Sequence, residues 1–132
     1  MVKAKQDYAD GKNKNAEKKL KRSLDRGTRA TELDTTYYEA YNLVGYASRK
    51  LGKYDDALAA YQRCLRIKPD YAPAREYLGE AYVELKQLDK AKEQLAWLEQ
   101  QNVTDDANTL RAAIEAAEKA AAPAPAASSG GK

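Results

Sequence analysis

The chain has 132 residues, 43% hydrophobic and 33% charged, with seven glycines and four prolines, which is one polar globular domain poor in the turn residues an all-β design needs. It has no histidine and one cysteine, so a Ser-His-Asp triad, a Cys-His dyad, a histidine-bearing zinc site and an intrachain disulfide are all excluded. The net charge of +3 is unevenly spread: residues 1–29 hold ten basic and four acidic side chains, and the rest is mildly acidic.

The opening segment has a thin apolar face of Ala16, Leu20 and Leu24 beside a basic patch of Lys18, Lys19, Lys21 and Arg22. Clustered cations suit phosphates or an acidic partner. Tyr8 is the only aromatic there, so base stacking is poorly served, and no Trp or Phe is present to anchor a lipid surface. No apolar run is long enough to cross a bilayer. Residues 1–30 lack a leader-like apolar stretch; the expected location is cytoplasmic if Met1 is the native start and periplasmic if a leader was removed.

Tyr37, Tyr41, Val44, Ala47, Ser48 and Leu51 recur at three and four, an amphipathic helix. Thr36 and Glu39 have capping-box spacing, and Gly52 supplies a left-handed residue after the stop. A second helix carries Tyr54, Ala57, Leu58, Tyr61, Cys64 and Leu65 on one side. Pro69 ends it, Asp70 is placed to cap the next helix, and Pro73 falls in that helix's first turn. Further helices are predicted near 71–85 and 88–102. Thr104-Asp105-Asp106 opens a last one, with Leu110, Ala113, Ile114 and Ala117 on a stripe. The Pro/Ala/Ser/Gly tail after Ala122 has nothing to bury and is expected to be disordered.

Residues 37–70 repeat as 71–104. Tyr37 aligns with Tyr71, Ala40 with Ala74, Gly45 with Gly79, Ala47 with Ala81, Leu51 with Leu85, Asp55 with Asp89 and Ala57 with Ala91. A weaker upstream echo, Gly11-Lys12, Ala16, Leu20 and Leu24, matches Gly52-Lys53, Ala57, Tyr61 and Leu65 at an offset of 41. The extra seven residues equal about two helical turns and are placed within 27–36. The glycines and alanines of the repeat let paired helices cross closely, and a stacked neighbour must complete each core.

These residues resemble the tetratricopeptide repeat, a 34-residue helix–turn–helix unit. Tyr41, Val44, Gly45, Ala57, Tyr61 and Pro69 occupy its hallmark places in the first copy, and Leu78, Gly79, Tyr82 and Ala91 in the second. Ser48 and Arg75 depart from the usual aromatics, and Val103 from the closing proline. The resemblance implies an all-α fold, a short right-handed superhelix of antiparallel helix pairs with a C-terminal capping helix. Its parts would be a degenerate basic front unit over 1–36, repeats over 37–70 and 71–104, a cap over 105–121 and a tail over 122–132. It also implies a concave groove presenting Glu39, Asn42, Tyr46, Arg49 and Lys50 from the first repeat and Glu76, Glu80, Val83 and Glu84 from the second. Glutamates on the second repeat's face disfavour a clamp for a terminal carboxylate.

No catalytic constellation emerges. Asp55-Asp56 and Asp105-Asp106 are helix neighbours whose side chains point apart. Cys64 sits on an apolar stripe with no histidine to activate it. Lys12 and Lys53 follow glycines without a phosphate-loop pattern. The expected function is a non-enzymatic, cofactor-free module binding a protein or peptide segment, with charges of both signs set against the groove. The alternatives are a self-assembling structural subunit and, through the basic patch, a binder of nucleic acid or an acidic partner.

Overall fold

The 34-residue period is realised as stacked helix pairs. The computed structural model describes residues 2–121, with side chains from Asn13 onward; the tail expected over 122–132 lies outside the described residues. Six helices follow one another: α1 (Val2–Leu33), α2 (Tyr38–Lys50), α3 (Tyr54–Ile67), α4 (Ala72–Glu84), α5 (Leu88–Gln100) and α6 (Thr104–Ala121). No strand occurs among the described residues. Sequential helices pack on each other, with α6 also seated on α4 and α2 also touching α4.

The front unit is a single helix. α1 runs unbroken through Gly11 and Gly27, so Gly11-Lys12 makes no turn here, unlike its counterpart Gly52-Lys53. The seven extra residues lengthen α1 by about 10 Å of continuous helix. Gly27 is buried against α2; a Cβ there would lie 2.9 Å from Val44 Cγ2. Its role is close approach of two helices, not a break.

The α1–α2 turn corrects the capping-box expectation. Thr36 donates from its N–H and its Oγ1 to Asp34 Oδ1, at 2.9 and 2.7 Å. These bonds hold the Asp34 carboxyl below its usual range. Thr36 is thus spent on the turn, and Tyr37 stands at the N-cap of α2 with no side-chain cap. Asp70 likewise caps nothing: Tyr71 is the N-cap residue of α4, and Asp70 pairs with Lys68 at 3.3 Å. Pro73 does fall in the first turn of α4.

Three turns share one geometry. After α2, Gly52 N–H reaches the Arg49 carbonyl and Lys53 N–H the Ser48 carbonyl; Lys86-Gln87 and Asn102-Val103 repeat the pair of bonds after α4 and α5. This is the Schellman closure, which needs a left-handed residue. Gly52, Lys86 and Asn102 supply it with φ of 80°, 62° and 58°. The α3–α4 junction instead uses Lys68-Pro69-Asp70. A third 34-residue copy would start its helix at 106, but the tighter Asn102 turn lets α6 begin at Thr104.

Small residues set the crossings. Ala47, Ala57, Ala74, Ala81 and Ala91 are fully buried, and Tyr61, Cys64, Leu98 and Leu110 fill the space between them. Tyr61 of α3 lies on the backbone of α2, where a Cβ on Gly45 would be 2.5 Å from its ring. Gly79 opens toward Leu110 of α6, at 2.5 Å from the same construction, and not toward its paired helix α5 as its alignment with Gly45 implies. The reason is that α6 drives Leu110 and Ile114 into the α4–α5 core.

Candidate binding groove

On α2, Asn42, Tyr46 and Arg49 follow one another at four and three; on α4, Glu76, Glu80 and Val83 do the same, so each set shares a helix face. These two faces meet. Arg49 Nη1 donates to Glu84 Oε2 at 2.8 Å and stands 3.8 Å from Glu80 Oε1. At the other end Glu39 lies near enough to Tyr71 for its charge, after burial, to raise the Tyr71 hydroxyl pKa. α2 and α4 therefore run parallel, and their facing surfaces are the candidate groove.

The floor is aromatic. Tyr46 and Tyr77 rings are 5.4 Å apart, and Tyr77 is 6.3 Å from Tyr61. The Arg49 guanidinium sits 5.7 Å from the Tyr46 ring and 5.8 Å from Tyr77. Lys50 Nζ approaches Tyr46 from outside at 5.7 Å. Tyr54, the first residue of α3, donates its hydroxyl to Glu84 Oε1 at 3.0 Å.

Burial redistributes the expected roles. Glu39, Lys50 and Glu84 are exposed, and Tyr46, Glu80 and Val83 are half-buried. Arg49, expected to await an acidic group, is only 3% exposed and already paired. Burial disfavours its charge, but the Tyr61 phenol, Glu84 and Glu80 outweigh that and hold it above its ordinary pKa. Burial pushes the Tyr61 hydroxyl strongly upward. It also raises the Glu80 carboxyl, which Arg49 only partly offsets. Asn42 and Glu76 are 9% and 7% exposed, and Asn42 Oδ1 and Glu76 Oε2 are enclosed without a hydrogen-bond partner.

The basic patch lies elsewhere. Lys18, Lys19, Lys21 and Arg22 are exposed on α1, which touches only α2 among the described helices. Lys21 pairs with Glu17 at 3.1 Å. Cys64 is fully buried, its thiol pushed up to about 11 by burial, as suits packing and not nucleophilic chemistry. No helix among the described residues is long and apolar enough to cross a membrane.

Two family models, each described as a tetratricopeptide repeat, match residues 2–72 and 48–114. The chain belongs to the tetratricopeptide repeat family. No curated protein matches it. Tetratricopeptide repeats are in general protein–protein interaction modules and typically non-catalytic.

Two departures of this tetratricopeptide array, Ser48 and Arg75, have physical causes. At the second repeat Tyr82 is buried, but its counterpart Ser48 leaves an open cleft bordered by Leu24, Thr28, Val44 and Ala59, between α1 and the α2–α3 pair. Arg75 donates from Nε and Nη2 to the Pro69 carbonyl, at 3.3 and 3.0 Å, and stacks 4.7 Å from the Trp97 ring. It ties the repeat junction to α5 through two donors and a stacked guanidinium at once. Tyr54 and Tyr77 were absent from the sequence-based groove. Both break the repeat, standing where the other copy has Leu88 and Leu43; a hydroxyl-bearing ring in only one copy was the available signal.

Proposed function

We propose that this array binds an extended protein or peptide segment along the facing surfaces of α2 and α4 and performs no chemistry. The observation that carries this reading is the pair Asn42 and Glu76. They occupy the same place in adjacent repeats, and each keeps an enclosed acceptor atom without a donor. Such groups cost stability, and a bound chain offers donors at repeating intervals. Beside them Tyr46 is half-buried, a ring with room for one more contact.

The test uses a partner captured with the full chain and then titrated against wild-type and Tyr46→Ala protein. A few aromatic and arginine side chains dominate such surfaces, so the substitution is expected to cost about 1–2 kcal/mol of affinity with little change in melting temperature. Undiminished affinity would move the binding surface off the groove. Self-association is a second reading, favoured by Leu33, Tyr37 and Leu43, the large apolar residues left exposed among those described, all near the α1–α2 turn. A dimer mass at micromolar concentration, lost in Leu33→Ser, would support it.

A further inference from the structure

The groove's charge is not balanced in the way its sequence suggests. Its nine candidate residues include four carboxylates and two cations. One cation, Arg49, is withdrawn: its side chain is 2% exposed and is held by Glu84 at 2.8 Å with Glu80 beyond. The other, Lys50, stands at the outer edge against Tyr46. Arg49 Nε has no partner, but it is enclosed behind the Nη1 contacts, and the residue as a whole is more deeply buried than Glu76, so an acidic ligand group meets no open cation on the groove floor.

Glu76 is the opposite case. Among the described residues it makes no hydrogen bond or ion pair, although it is 7% exposed and its Oε2 is enclosed. A buried carboxylate without a cation is costly unless something pairs with it. Glu80 lies one turn further along the same face, and its nearest cation, Arg49, is 3.8 Å away. The groove already shows which cation it accommodates, since the Arg49 guanidinium is flanked by Tyr46 and Tyr77 and bonded to a glutamate.

We propose that the segment bound in the groove carries an arginine, whose guanidinium docks on Glu76 between α2 and α4. This rests on the groove reading above and specifies its partner. A guanidinium suits the place better than an ammonium. Glu76 Oε2 is enclosed and Oε1 is not, so the ligand meets the carboxylate through its open oxygen, and a guanidinium can bond there while its flat face stacks on tyrosine. The protein's overall charge of +3 opposes non-specific attraction of a basic peptide, so a preference for arginine must be local.

The probes are fluorescent 11-residue peptide pools with uncharged randomised flanks and a central arginine, citrulline, lysine or glutamate, titrated against the full chain by anisotropy. The arginine pool is expected to bind about tenfold tighter than the citrulline pool, its neutral isostere. Glu76→Gln should erase that difference with the melting temperature equal or higher, because it replaces a buried carboxyl that has no hydrogen-bond partner with a neutral isostere. Glu93→Gln, on α5, should leave it intact. Equal binding of the arginine and citrulline pools, tightest binding by the glutamate pool, or a preference that survives Glu76→Gln overturns the proposal. Tyr46→Ala separates the two readings. If it weakens every pool while arginine confers nothing, the groove stands and the arginine does not. If no pool binds, or none responds to Tyr46→Ala, both fall.

Discussion

Ser48 Oγ is enclosed in α2 with no hydrogen-bond partner, and a buried hydroxyl without one costs more than the methyl that would replace it. Ser48→Ala is expected to raise stability by about 1 kcal/mol, read as a higher midpoint in urea; an unchanged midpoint would mean that the hydroxyl is bonded in solution. Glu80 gives a pH signature. Burial, with Glu84 adding to it, raises its carboxyl above the ordinary value near 4.5, so between that value and its folded pKa the folded chain holds a proton that the unfolded chain has released. Stability therefore falls as pH rises through that window. Glu80→Gln removes the slope: the variant should match wild type at pH 4 and exceed it at pH 7 in parallel denaturation curves. A variant less stable than wild type at pH 7 would show that Arg49 dominates Glu80 instead.

At the scale of elements, the α2–α3 crossing rests on a missing side chain. A methyl on Gly45 would meet the Tyr61 ring at 2.5 Å, and that ring, fully buried, has nowhere to swing. Gly45→Ala should thus destabilise by about 1–3 kcal/mol through overpacking, against about 1 kcal/mol gained in helix propensity. A melting temperature at or above wild type would refute the close-crossing account. The stripes of α2, α3 and α6 were readable because they follow the 3.6-residue period. Helix starts were not. Thr36 and Asp70 have capping chemistry, yet Asp34 and Lys68 claim them, and that competition depends on how the turn folds. Gly11 and Gly27 carry the same signal as Gly52 but lie within α1; at Gly27, close packing on Val44 of α2 rewards continuing the helix.

For the whole molecule, each helix pair leaves an apolar face that its neighbour must cover, so the array should unfold as one unit. Ala57 is fully buried in α3, and Trp97, the one tryptophan, lies far along the chain in α5. Ala57→Leu overpacks the first repeat at a cost of about 1–3 kcal/mol. Far-ultraviolet circular dichroism and Trp97 fluorescence should then show the same lowered midpoint. A fluorescence midpoint left at the wild-type value would mean that the repeats unfold separately. Paired with Tyr46→Ala, which is expected to lose affinity and keep stability, this variant separates damage to the fold from damage to the groove.

The sequence by itself determined the helical class and the repeated hairpin, since small residues recurring every 34 positions are a local and periodic instruction for close helix crossing. It also determined which residue types line α2 and α4. What only the tertiary structure decided is which of those charges remain available. Arg49 and Glu84 are 35 residues apart, and nothing in either one's neighbourhood along the chain says that they neutralise each other while Glu76 stays unpaired. Pairing across two helices depends on their parallel alignment and spacing, set by Gly45, Tyr61 and the Pro69 junction together. The charge that the facing surfaces of α2 and α4 leave available is therefore a property of the folded molecule, and it differs from the mixed charge that the residues suggest when read in line.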